Sequence, residues 1–199
     1  MKVVIPEAPQ HLLDSRARTG ADRWDEMWEG VLHMPPMPNR DHQDLGLELA
    51  TWLRTFWAKP RGNRVHQQIN VASVGGWPND YRIPDIVLLT PDRFHIDRNE
   101  YFEGAPTVVL EIRSPGDETI EKMPFYATLG VPEVWVVERD TKELGLWVLK
   151  KGAYARQLPD EGGWLRSAST GILLRPEPPG RIALQIAGDP GTRRVLPEQ

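Results

Sequence analysis

Between positions 39 and 58 the apolar residues Leu45, Leu49, Trp52, Leu53 and Phe56 recur at three- and four-residue steps, which predicts an amphipathic helix capped by Asn39. Elsewhere the apolar positions run together. Residues 81–89 and 107–113 are β-branched runs, each with one carboxylate set into it, and both predict buried strands, with Asp85 near the start of the first and Glu111 within the second. Strands are also expected over 64–74 and 134–137, and over 144–149 and 153–158 in a meander turned at 140–142 and 150–152. Positions 117–129 carry helix formers, with Asp117 placed to cap, Lys122 inside and Gly130 as a stop. Pro124 either kinks that helix or marks its start.

At the N-terminal end, 24–28 and 31–34 flank Glu29-Gly30, which reads as a hairpin whose turn uses glycine to reach positive φ. Residues 1–21 hold little pattern beyond a short helix over 11–18, and are expected to wrap the surface or reach a partner subunit. Residues 91–104 read as a mobile polar connection. A last apolar stretch, 181–186, follows the break at 176–180, and from Gly188 onward the pattern reads as a frayed end. The architecture expected is α/β: a mixed central sheet holding the Asp85 and Glu111 strands, flanked by helices, with extra hairpins at both ends.

Composition narrows the classes. A chain of 199 residues, 40% hydrophobic and 26% charged, is sized for one domain, with its core expected over about 24–150 and with 1–21 and 188–199 peripheral. No apolar run approaches the roughly eighteen residues of a membrane span, and the first residues are too short a stretch for a signal peptide, so a cytoplasmic protein is expected. The absence of cysteine removes disulfides, thiolate zinc sites and cysteine nucleophiles, so any metal must sit on oxygen or imidazole. A net charge of −4 argues against a protein that coats nucleic acid, and any DNA contact must rest on a local basic patch. Of the eight tryptophans, Trp52 and Trp57 fall in a helical pattern and Trp135 and Trp147 in strand patterns, which suits core packing.

Glu111 most demands an explanation, because an ionised carboxylate in an apolar strand costs several kcal/mol unless cations or hydrogen bonds compensate it. With Asp85 on a neighbouring strand, the two would form a hard oxygen site suited to Mg²⁺, which takes one or two carboxylates and keeps its other positions for water and phosphate. The plainer alternatives are a turn cap for Asp85 and an ion pair from Arg113 or Arg82 to Glu111. Lys122 has one too, as the surface partner of Glu118 four residues before it.

The segments Ile83-Pro84-Asp85-Ile86, Leu110-Glu111-Ile112-Arg113-Ser114-Pro115, Glu121-Lys122, Tyr126-Ala127 and 129–135 resemble the Uma-type restriction endonuclease family, a branch of the PD-(D/E)xK nucleases. The resemblance spans about 24–148. It implies a restriction-endonuclease-like core and a Mg²⁺-dependent DNA endonuclease, with Mn²⁺ as substitute. Asp85, Glu111 and the Ile112 carbonyl would hold the metal, Glu48 would reach it through water, and Lys122 would orient or deprotonate the attacking water. Most of that superfamily places its lysine two residues after the glutamate; here that position is Arg113, which stays protonated and would steady phosphate oxygens. His42 would touch phosphate or stand in solvent as a first-turn histidine, Glu48 would reach the metal or border the helix in solvent, and Tyr126 would pack against Lys122. The alternative is a homodimeric binding or scaffold module that keeps the fold without catalysis, its Glu111 neutralised by Arg113. A homodimer is expected in either case, because exposed strand edges need a cover.

Overall fold

Asn39 caps its helix as the sequence predicts, its side chain accepting the His42 N–H at 3.0 Å, and the apolar stripe behind that cap organises the core. The computed structural model describes residues 3–198. From the N-terminus run β1 (Val3–Ile5), α1 (Gln10–Thr19), β2 (Glu26–Trp28), β3 (Val31–Met34) and α2 (Arg40–Trp52), the last continued by a π-helical stretch, Leu53–Ala58. Then come β4 (Arg64–Gln67), β5 (Asn70–Ala72), β6 (Tyr81–Arg82), β7 (Ile86–Leu89), β8 (Tyr101–Glu103) and β9 (Val108–Arg113). After α3 (Met123–Leu129) follow β10 (Glu133–Glu138), β11 (Leu144–Lys150) and β12 (Ala153–Arg156). The chain closes with β13 (Leu165–Arg166), β14 (Ile172–Glu177), β15 (Arg181–Ile186) and β16 (Asp189–Leu196).

The central sheet has the order β12-β11-β10-β9-β7-β4 and is mixed, with β10 parallel to β9 and the other pairs antiparallel. A parallel pair needs a crossover, and α3 supplies it. Strand alternation divides the core. On one face Leu88, Leu110, Ile112 and Trp135 pack with Leu49, Leu53 and Trp57 and with a separate C-terminal sheet, β13-β14-β15-β16. On the other, Val109, Val134 and Val136 lie under Met123 and Tyr126 of α3. The fold is therefore the mixed α/β arrangement the sequence leads one to expect, with added N- and C-terminal β-structure.

The third sheet, β1-β3-β2-β6-β5-β8, is joined to the central one by a bent two-stranded arm. Residues 64–74 are two strands, not one, because the chain turns at Gln68, which takes φ 53°. Residues 81–89 are divided in the same way. Pro84 offers no N–H to continue a ladder, so β6 pairs in one sheet and β7 in the other. The two bends face each other, the Gln68 N–H donating to the Asp85 carbonyl at 3.2 Å. Asp85 thus stands where the two sheets part.

Several expectations are corrected. The stretch 91–104 contains a 3₁₀ helix and β8, whose parallel pairing to β5 gives it a place in a sheet. The end after Gly188 is β16, paired to β15, and Leu196 lies in the same core as α2, so the core extends well past residue 150. Residues 3–19 give β1, paired to β3, and α1; Met1 and Lys2 lie outside the described residues. The hairpin at Glu29-Gly30 is present, with both residues at positive φ, 51° and 85°, the pairing a tight two-residue turn requires. Among the described residues no helix is long and apolar enough to cross a membrane.

Candidate active site

The register of β7 against β9 sets Ile86 opposite Leu110, and one step further places Asp85 opposite Glu111. Glu111 is 3% exposed and points to the α3 side of the sheet. The Tyr126 hydroxyl donates to its Oε1 at 2.6 Å, and the Lys122 Nζ lies 3.5 Å from the same oxygen. Burial pushes the Glu111 carboxyl up to about 8, with the nearby Asp85 charge adding to the rise and Lys122 opposing it. Both contacts are to Oε1, so Oε2 is the oxygen that remains for a ligand. Asp85 accepts the Ile112 N–H at 2.7 Å with one oxygen and faces His42 Nε2 at 3.4 Å with the other.

Lys122 does not sit inside a helix. Residues 117–122 form turns, and α3 begins at Met123 with Pro124 in its first turn, where a missing N–H costs nothing. Asp117 caps the turn after β9 by accepting the Ser114 and Thr119 N–H groups, not the helix. The Lys122 stem turns inward, and its Nζ lies 2.7 Å from Glu26 Oε1 and 3.5 Å from the Ile83 carbonyl. Burial works to discharge this amine, but the charges of Glu111 and Glu26 outweigh it and hold the lysine above its ordinary range. Glu118 instead meets His33 Nδ1 at 3.1 Å, so the surface pair between Glu118 and Lys122 is not formed.

Glu26 is a member of the cluster that the sequence pattern does not single out. The signal was there: a carboxylate in a short strand between Trp24 and Trp28, the same anomaly that singled out Glu111. It is 3% exposed and fully engaged, accepting the Ile83 N–H at 2.9 Å and the Trp28 indole N–H at 2.7 Å in addition to Lys122.

Two of the expected residues stand apart from this cluster. Arg113 turns to Glu138 on β10, at 2.9 Å and with its side chain 44% exposed, so it does not neutralise Glu111; nor does Arg82, which pairs with Asp80. Glu48 accepts the Glu198 N–H at 2.9 Å and holds the C-terminal end of the chain on α2. His42, in contrast, is buried at 8% exposure. Burial disfavours its charged form, but the hydrogen bond and charge of Asp85, aided by the Ile112 carbonyl, outweigh this and raise it above the usual histidine value. Tyr126 fixes Glu111, not the lysine.

A cavity of about 300 Å³ opens on Asp85, Glu111, Ile112, Lys122 and His42, and a second, of about 710 Å³, shares Asp85, His42 and Ile112 with it. Glu26, Asp85, Glu111, Asp117 and Glu118 line the first cavity against Lys122 and Arg139. Such a lining repels a phosphate unless a cation intervenes. Arg139, also unforeseen, reaches the Ser114 hydroxyl at 3.4 Å while paired with Asp140. The donors suit a hard divalent cation: Asp85, just before β7, and Glu111 on β9 stand opposite each other with carboxylate oxygens, and both line the cavity. Among the described residues no three acidic or imidazole side chains form a closed cage, and two carboxylates completed by water and substrate is the regime of Mg²⁺.

Comparison with known proteins gives a family and a likeness of fold. A family profile described as "Uma2: Putative restriction endonuclease" matches residues 13–175. The crystal structure of a "putative nuclease" from Anabaena variabilis aligns with a TM-score of 0.59 over 73% of this chain and 82% of that one. At 18% sequence identity the likeness is one of fold. No curated protein matches the chain.

Proposed function

Because the chain belongs to the Uma2 family, we propose that it is a Mg²⁺-dependent endonuclease that hydrolyses DNA phosphodiester bonds at the Asp85–Glu111 cluster. The observation that carries this reading is the pairing of two carboxylates at the point where the sheets part, one of them buried in an apolar strand, both opening on one cavity. Structural ion pairs alone give no reason for Asp85 and His42 to line that cavity as well.

Asp85 and Glu111 would hold the cation, with the Ile112 carbonyl adjacent. When bound, that ion supplies charge neutralisation at the phosphate and a lowered pKa for an attacking water. The chain does the rest. Ile112 N–H fixes one Asp85 oxygen, and the Tyr126 hydroxyl fixes Glu111, so both carboxylates are oriented before any ligand arrives. Lys122, charged and held between carboxylates, orients the attacking water and stabilises negative charge as it develops.

Arg139, which lines the cavity, takes the phosphate contact that the sequence pattern would give to Arg113. Arg139→Ala is expected to weaken DNA binding and to flatten its salt dependence by roughly one unit of slope, while Arg113→Ala changes both little. Titrations of labelled duplex at several salt concentrations decide between them; equal losses would remove Arg139 from this role.

The direct test is thermal. Mg²⁺ or Mn²⁺ should raise the melting temperature, corresponding to about 2.7 kcal/mol at a hundredfold excess over Kd, and Asp85→Asn should remove most of that shift. Without cation the variant should melt no lower than the parent, since it relieves repulsion with Glu111. A parent that does not respond to cations would leave Lys122 as the permanent counter-ion of a non-catalytic scaffold.

A further inference from the structure

Glu26 has no part in the scheme above, yet it is the group closest to the Lys122 amine, at 2.7 Å against 3.5 Å for Glu111. It comes from the peripheral sheet and not from the strands that carry Asp85 and Glu111. Its carboxylate cannot swing, because the Ile83 N–H and the Trp28 indole N–H each hold one of its oxygens. The strand pair β2–β3 is itself anchored to the segment that carries Lys122. His33 meets Glu118, and a column of stacked groups runs from His33 through Trp28 and Arg82 to Phe125, at 3.9, 4.4 and 4.1 Å between successive members.

Lys122 needs such an anchor. Its backbone lies in turns before α3 rather than in a helix, and a four-carbon stem ending in a point charge has no geometry of its own. We propose that Glu26 is the positioning residue for Lys122, the N-terminal hairpin acting as a fixed arm that aims the amine at the Glu111 side of the cleavage site. The inference rests on the nuclease reading for its catalytic consequence, but the geometric claim stands apart from it. Glu26 does not touch the reacting atoms in this assignment; it acts through the lysine.

Glu26→Gln in the full chain tests both parts. The neutral amide keeps the shape and can accept the Ile83 N–H with its one oxygen, giving up the Trp28 indole bond, so the hairpin should stay in place on its remaining contacts while the hold on the amine weakens. Cleavage of plasmid DNA should fall about a hundredfold in kcat, the order of loss for a catalytic group misplaced by an ångström, with KM and the Mn²⁺-induced thermal shift unchanged. The ¹⁵N resonance of the Lys122 ammonium should be sharp in the parent and broadened or lost in the variant, a readout that needs no activity. Glu26→Asp, which restores the charge on a shorter stem, should recover part of both. Trp28→Phe, which removes the indole N–H but keeps a ring in the stack, should move both readouts in the same direction by less. An unchanged ammonium signal in Glu26→Gln overturns the proposal whatever the activity. Loss of the Mn²⁺ shift along with cleavage would make Glu26 part of the metal site and overturn it too. If the parent neither binds cations nor cuts DNA, the function proposed above fails, and the ammonium signal still decides whether Glu26 holds Lys122.

Discussion

Glu111→Gln is expected to stabilise the protein in the presence of a chelator, and the gain should widen as the pH climbs from about 4.5 toward 8. Glutamine fits the same space and still accepts from Tyr126, while Lys122 keeps its nearer partner, Glu26. The pH dependence follows from burial, which raises the Glu111 carboxyl from an ordinary 4.5 to about 8 in the folded chain. Below 4.5 folded and unfolded chains both hold the proton, and glutamate and glutamine are nearly equivalent. Between the two values the unfolded parent gives up its proton and the folded parent keeps it, so the parent loses stability with each step of pH and the variant does not. Above 8 both states are ionised and the difference levels off. The full gain should be on the order of 5 kcal/mol, at about 1.4 kcal/mol per pKa unit, with the compensation from Lys122 already contained in the rise to about 8. Denaturant unfolding of both proteins at pH 5, 7 and 8.5 measures it. A glutamine variant that is less stable at every pH would mean that Glu111 is an ordinary ion-pair partner. The same variant should lose the Mn²⁺ response, so that stability is gained where ligand binding is lost.

That opposition explains why this site was partly legible before folding. Glu111 and Asp85 stand out because each breaks an apolar run, and a charge placed against local preference signals a requirement other than packing. Lys122, Arg113 and Glu26 are harder, since their meaning depends on which strand or turn lies beside them. Strand alternation correctly put Arg113 on the Glu111 face, but at the strand end the nearer charge is Glu138 on β10, a neighbour that sequence spacing does not reveal. Glu26 lies 85 residues from Glu111 in the chain, and only the bent arm at Gln68 and Asp85 brings its sheet beside the central one. The strand breaks at 68 and 83–85 are not legible in the sequence for a related reason. Periodicity marks an extended chain but not a change of sheet, and Gln68 carries no glycine to announce its positive φ. The helix at 39–58 read clearly because its cap and its apolar stripe are both local, whereas β16 did not because its pairing partner gives it order that its polar composition lacks.

Lys122→Met should be the most damaging single change at the site. Methionine preserves most of the packing of the lysine stem but leaves the Glu26 carboxylate buried without the cation that lies 2.7 Å from it, at a cost of about 3–5 kcal/mol. Plasmid nicking should disappear. The Mn²⁺-induced thermal shift should persist or grow, because the variant lacks a fixed positive charge that competes with a divalent ion for Glu111. Lys122→Arg is a weaker probe than its charge suggests: the amine occupies a place only 13% exposed, bounded by Glu26, Glu111 and the Ile83 carbonyl, and a planar guanidinium does not fit there unchanged. A second substitution isolates the pair instead. Glu26→Gln combined with Lys122→Met removes both members of the closest contact, and its stability should recover by at least 1 kcal/mol over the sum of the two single changes, within the roughly 0.5–3 kcal/mol range of coupled neighbours. Simple additivity would mean that Glu26 and Lys122 lie close without interacting, and the charge that Lys122 carries would then have to be explained by Glu111 alone.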